Sequence, residues 1–319
     1  MMLWESKTLW QAYAAGALFL AGMVYGALFL LFLHRLTGGR WGQRIRPALL
    51  TMATQTSWAA LVFLPVTGKA GILYSHADPV FFPARAAFYW IVWVMLASPF
   101  GSERSGARVA LPTKAAAAGL CVLVFTGTFA AFDWALSLYP HAHSTVFGLL
   151  WIVSQALLSL SLAIGLSLGC GGCCRGREAE PSGRSVSGDL ANLLLTFVLL
   201  WAYLAYSQGL IIWAANLPEE ASWFAGLFRG GWQHIGAGVA VAGLAMPLGL
   251  LAVGAIRRRE ALVGAVAVWI AVSRFADWIW WTGPAWSPEV PGFWDLRWML
   301  PLVMAAGWVW ILVGRCPRD

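Results

Sequence analysis

Apolar runs of similar length, separated by short polar stretches, dominate the chain. A helix rises 1.5 Å per residue and crosses about 30 Å of hydrocarbon in about twenty predominantly apolar residues. Nine runs reach or approach that length: 10–33, 47–67, 84–97, 115–138, 145–168, 190–215, 235–256, 261–281 and 299–313, the third being short. They are continuous, and too long for the roughly ten-residue alternating strands of a membrane barrel. The pattern therefore predicts an all-α, polytopic transmembrane helix bundle of about nine spans. Trp278, Trp280, Trp281, Trp294 and Trp298 crowd the run ends, as an interfacial belt requires.

The runs carry an internal order. Runs one to four close on Phe132-Asp133-Trp134, and runs five to eight close on Phe275 with Asp277-Trp278. This echo predicts two parallel four-helix bundles, with the ninth run as a flanking helix. A Gly-, Arg-, Glu- and Ser-rich stretch at 171–188 reads as a flexible linker. It divides the chain into 1–168 (the first repeat and the start of the second), 169–189 (linker) and 190–319 (the remainder and the flanking helix). The other loops are short apart from 68–83, which leaves no room for a soluble catalytic domain; any such domain belongs to another chain.

Composition strengthens the membrane reading. Residues are 60% hydrophobic and 11% charged, where soluble domains carry about a quarter charged. The net charge of +7 does not indicate nucleic acid, because the basic residues fall in loops on alternate sides. One side holds Arg35, Arg40, Arg44, Arg46, Arg104, Arg108, Lys114, Arg175, Arg177, Arg184, Arg257, Arg258, Arg259, Arg315 and Arg318; the other holds Lys7, Lys69, Arg85, Arg229 and Arg297. Cytoplasmic loops are the Lys/Arg-rich ones, so the N-terminus is expected outside and the C-terminus in the cytoplasm. The first run is long, lacks a small-residue cleavage site and reads as a retained span. Five cysteines imply no disulfide framework, with Cys170, Cys173 and Cys174 in a loop expected to be reducing, Cys121 inside a run and Cys316 in the tail.

The chemistry is defined first by what is missing. Intramembrane haem needs facing histidines, whereas His34, His76, His141, His143 and His234 all fall in loops or at run ends. There is no Cys-x-x-Cys-His, no four-cysteine cluster spacing and no phosphate loop. Cys170-x-x-Cys173-Cys174 lacks a fourth metal ligand, and His141-x-His143 is at most half a site. No cofactor or metal is therefore assigned to the chain itself.

The polar residues near the outer side are the candidates. Asp133 closes the fourth run; Tyr203, Tyr206, Ser207 and Gln208 lie in the outer half of the sixth; Asn216, Glu219 and Glu220 follow it; His234 opens the seventh. Arg274 and Asp277 lie three apart in the eighth run, on one helix face. An ionisable group at membrane depth is expensive and marks function by default, but a structural ion pair fits Arg274 and Asp277 equally. Helix-interior Gln55, Gln155 and Asn192 read as interhelical hydrogen bonds. Such a set suits proton release from a hydroquinone, and suits a proton-coupled secondary transporter as well.

Four motifs carry a resemblance. They are His34-Arg35-Leu36-Thr37-Gly38-Gly39-Arg40-Trp41-Gly42; Arg85-Ala-Ala-Phe-Tyr89; Phe132-Asp133-Trp134-Ala-Leu-Ser137-Leu-Tyr-Pro140-His141-Ala-His143-Ser144-Thr145-Val-Phe147-Gly148; and Trp201-Ala-Tyr203-Leu-Ala-Tyr206-Ser207-Gln208 with Ile212-Trp213, Asn216-Leu217-Pro218-Glu219-Glu220 and Gly231-Trp232. In this order the chain resembles the integral membrane F subunit of alternative complex III, the bacterial quinol:cytochrome c oxidoreductase, within the NrfD-like and polysulfide-reductase-like membrane subunits. The resemblance implies two four-helix bundles with flanking helices in a bacterial inner membrane. That family has ten spans and this chain shows nine, as if the first were missing, which agrees with an outside N-terminus. The resemblance further implies that haem c and iron–sulfur clusters reside in partner subunits: c-type cytochromes, an iron–sulfur and molybdopterin-like subunit, and a sister NrfD-like subunit that holds the better-supported quinol site. Lipid surrounds the chain, quinol or quinone contact by this chain itself stays open, and its expected role is anchoring with proton conduction. It carries over Asp133, His141, Tyr203, Ser207, Gln208, Asn216, Glu219 and Glu220; His234, Arg274 and Asp277 rest on the residues alone. The rival expectations are a membrane anchor of a molybdopterin or polysulfide reductase and a secondary transporter.

Overall fold

The structure is a computed structural model that describes residues 7–74, 78, 80–104, 111–140, 142–169, 186–292 and 294–316, with nothing described of the Glu219 side chain. Among these residues all regular structure is helical. The helices are α1 Lys7–Thr37, α2 Arg40–Ala53, α3 Thr56–Gly68, α4 Ala70–Leu73, α5 Phe81–Arg104, α6 Thr113–Trp134, α7 Phe147–Ile164, α8 Val186–Ala215, α9 Pro218–Gly226, α10 Trp232–Ala240, α11 Met246–Ala252, α12 Gly254–Arg257, α13 Glu260–Trp286 and α14 Leu296–Arg315. Eight helical segments are long and apolar enough to cross a membrane, and a ninth is counted if α2 and α3, bent by 41°, form one span. The chain is thus an all-α, multi-pass membrane protein.

A helix that is apolar all round must be surrounded by other helices or by lipid. α1 and α7 take the first solution and are buried along most of their length. They lie against each other at the centre of the molecule. Small residues allow the approach: a Cβ on Gly26 would collide with the Gln155 carbonyl, and one on Gly22 with the Gln155 side chain. α1 packs with α3, α5 and α6 as one four-helix group; α7 packs with α8 and α13, which close a second group through α10 and α11. α14 lies along α1. The arrangement is that of two four-helix bundles and a flanking helix.

Three runs differ from their expected form. The short third run is a full 24-residue helix, α5, because Arg85 at its start and Pro99 to Arg104 at its end interrupt the apolar pattern without interrupting the helix. The second run breaks at Thr54 and Gln55. There the hydroxyls of Thr51, Thr54 and Thr56 donate to the Pro47, Thr51 and Ala53 carbonyls at 2.7–2.9 Å, competing with the helical amides. The seventh run contains a π-turn, Val241–Ala245, then kinks at Val253, so Gly254–Arg257 stands apart as α12. Pro247 cannot donate a backbone hydrogen bond, and the Ala242 carbonyl accepts instead from the Trp269 indole at 2.9 Å.

The charged residues gather by bundle end. At one end Arg40 meets Asp189, Arg44 meets Glu260, and Arg46 meets Glu103. Gln55 accepts from Arg315 and Asn192 accepts from Arg257, so both bridge separate elements. At the opposite end Arg85 meets Asp133, and Arg297 meets Asp295. Among the described residues Cys121 is a free, exposed thiol. Cys170, Cys173 and Cys174 lie outside the described residues.

Candidate functional site

The most deeply placed charges are Arg274 and Asp277 on α13. This helix has 27 residues, about 40 Å at 1.5 Å per residue, and Arg274 lies about 21 Å from its start, near the middle of the helix. Their one-face spacing brings Arg274 Nη1 to 3.2 Å from Asp277 Oδ2, with side-chain exposures of 1% and 4%. The Trp201 ring of α8 lies under the guanidinium, 3.6 Å from the central carbon to the ring centroid. On the other side Gly243, in the π-turn, admits the guanidinium, because a Cβ there would collide with Nη2. Insertion scales set about 2.5–3.5 kcal/mol for one such charge at a helix centre. The counter-ion and the cation–π contact offset part of that cost.

A cavity of about 20 Å3 adjoins the pair, lined among others by Ser154, Gln155, Trp201, Arg274, Asp277 and Trp278. Beside it, sharing Phe19 and Leu158 as walls, runs an almost wholly apolar groove of about 480 Å3 bounded by α1, α7, α13 and α14.

A second charged group lies at the rim of the first bundle. Arg85 and Tyr89, one turn apart on α5, converge on Asp133 at the end of α6: Arg85 Nε and the Tyr89 hydroxyl both donate to Oδ2 at 2.7 Å. The Arg85 side chain is 47% exposed, so this site is open where the Arg274 pair is closed. The Tyr74 hydroxyl donates to the Trp134 carbonyl at 3.1 Å. Burial, and then the charge of Asp133, push that phenol well above its ordinary value. Tyr139 is likewise pushed up by burial and donates to the Trp281 carbonyl at 2.8 Å. Both phenols therefore stay protonated as struts between elements. Asp78 accepts from the Phe81 and Val80 amides, which hold its carboxyl below the usual range.

The remaining candidates do not join either group. On α8 the stripe Trp201, Leu204, Gln208 and Ile212 faces inward, and Gln208 accepts a hydrogen bond from Ser144. Tyr203 and Tyr206 point the other way, 65% and 68% exposed, while the Ser207 hydroxyl bonds back to the Tyr203 carbonyl. Asn216 is exposed where α8 ends, at a positive φ of 48°. Glu220 is half-buried on α9 and His234 is exposed on α10. His141 and the Glu219 side chain lie outside the described residues. The outer-side residues are thus spread over separate places, because helix rotation sends neighbours in sequence to opposite faces.

No protein-family model matches the chain, and no curated protein matches it.

Among the described residues no three of His, Cys, Asp and Glu gather as a metal set would. Sequence reasoning had Arg274 paired with Asp277, and had Asp133 without its partners Arg85 and Tyr89. The i, i+4 spacing of Arg85 and Tyr89 signalled a shared face. Nothing along the chain pointed to Trp201, Ser154 and Gln155 around the buried pair, since those contacts join helices far apart in sequence.

Proposed function

We propose that the chain is an integral membrane subunit of a quinol-oxidising electron-transfer complex, the counterpart of the F subunit of alternative complex III. It spans the bacterial inner membrane with its N-terminus outside and its C-terminus in the cytoplasm. Partner subunits carry haem c and iron–sulfur clusters; this chain seats them on the bilayer and gives protons a route. The observation that carries the reading is the ordered set of four motifs. Its residues include both partners of Asp133, namely Arg85 and Tyr89, and Trp201 beneath Arg274. Two four-helix groups around the α1–α7 contact agree with the architecture the resemblance implies. Asp133 at the rim and Asp277 at depth are the acidic groups assigned to protons.

The test is isolation of the native particle through a tag on this chain. The expected result is a particle containing c-type haem that reduces cytochrome c with quinol. A particle without c-type haem, or with a molybdopterin reductase instead, overturns the assignment. The transporter reading draws on the same buried Arg274–Asp277 pair, and predicts substrate-dependent proton movement in proteoliposomes that contain this chain alone.

A further inference from the structure

Arg274 and Asp277 use only part of their hydrogen-bonding capacity on each other. Nη1 meets Oδ2, while Arg274 Nε and Nη2 and Asp277 Oδ1 are buried with no hydrogen-bond partner in the protein. Both residues line the cavity of about 20 Å3, together with Ser154 and Gln155 of α7. A buried charged donor or acceptor left without a partner carries its full desolvation penalty, so the cavity has a specific chemical demand.

That demand selects the occupant. Oδ1 is an acceptor and requires a donor; Nε and Nη2 are donors and require an acceptor. An anion answers only the guanidinium, and a cation answers only the carboxylate. The pair is already charge-balanced, which disfavours any ion. A hydroxyl answers both sides, from either of two sources: water, or the headgroup of an amphiphile whose tail lies in the adjoining apolar groove. The volume decides between them, since about 10–15 Å3 of such space accommodates one water and a ring does not fit.

We propose that this cavity is a binding site for one ordered water, which donates to Asp277 Oδ1 and accepts from Arg274 on the α13 side and is bounded by Ser154 and Gln155 on the α7 side. Asp277 then has the guanidinium at Oδ2 and the water at Oδ1, with the Trp201 indole also beside its carboxyl group. The inference rests on the geometry of the pair and stands apart from the functional assignment.

A density map of the purified native particle, at a resolution that shows ordered water, tests it. One isolated peak at about 3 Å from both Oδ1 and a guanidinium nitrogen is expected. No peak overturns the proposal, and so does density continuous with the groove lined by Leu158 and Phe275, which would place an amphiphile's hydroxyl there. Two variants separate the site from the fold. Ser154→Leu fills the cavity without touching the pair and is expected to abolish the peak and lower Tm. Ser154→Ala enlarges the cavity and is expected to keep the peak. A peak that survives Ser154→Leu, or is lost in Ser154→Ala, overturns the site. Haem content and quinol oxidation of the wild-type particle report on the functional assignment alone.

Discussion

Arg274 is held by an anion at Oδ2 of Asp277, by the Trp201 ring 3.6 Å away, and by the space that Gly243 leaves. Removing the anion alone leaves a buried cation. Asp277→Asn is therefore expected to destabilise the solubilised protein by about 3–5 kcal/mol, read by thermal denaturation. Arg274→Met combined with Asp277→Leu should recover most of that loss, because a matched apolar pair removes both desolvation costs. If Asp277 also handles protons, the double variant recovers stability without turnover; recovery of both assigns the pair to holding the bundle. Asp133 differs through its exposed partner. Asp133→Asn should change stability by no more than about 1 kcal/mol but slow quinol-linked turnover by about a hundredfold, and unchanged turnover in a normally assembled particle removes it from the proton route. The residue types were legible along the chain, because an Arg and an Asp three apart inside an apolar run read as a pair, whether structural or functional. Their settings were not: Trp201 and Gly243 reach Arg274 only through folding. Tyr203 and Gln208, both candidates along the chain, are likewise separated by folding, as one helix presents them on different faces.

Helix contacts depend on small residues at defined places. Gly26→Ala should disrupt the α1–α7 contact, since the new methyl meets the Gln155 carbonyl, which is backbone and cannot swing away. A loss of about 1–3 kcal/mol is expected, whereas Gly101→Ala on α5, with nothing within 4 Å, should be neutral or slightly stabilising. The start of α14 adds a pH-dependent device. Asp295 caps the helix by accepting from the Arg297 amide at 2.9 Å, and the Arg297 side chain holds its carboxyl below the usual range. A carboxylate depressed in the folded state contributes fully above its unfolded value of about 3.9 and loses that contribution as pH falls through the folded one. Hydrogen exchange of the first turn of α14 should therefore quicken on acidification below about pH 4, and Asp295→Ala should abolish that dependence. Run length and continuity made most helices legible. The break at Thr54–Gln55 and the π-turn before Pro247 were hidden, because hydroxyl back-bonding and a lost amide act on the backbone without changing the apolar pattern. Arg85 and Pro99 misled in the opposite direction, shortening a run that the helix ignores.

At the scale of the molecule, α1 and α7 are the inner walls of two bundles, and much of α5, α8 and α14 faces outward with apolar side chains such as Met95, Trp213 and Trp310. Those faces are available to lipid and to the partner subunits of the proposed complex. The Phe132-Asp133-Trp134 echo with Phe275, Asp277 and Trp278 does place an acidic residue with an Arg partner in each bundle. The depths differ, because α6 ends beside Asp133 and α13 continues to Trp286. That difference makes one pair a rim group and the other a closed one. The central claim is that this polypeptide seats redox centres it does not itself contain. It is tested most directly by the reduced-minus-oxidised absorption spectrum and iron content of the particle captured through this chain, measured before and after its partner subunits are stripped away. The account predicts a c-type haem spectrum with iron in the intact particle and neither in the separated chain; stoichiometric haem or iron–sulfur absorption remaining with the separated chain would contradict it.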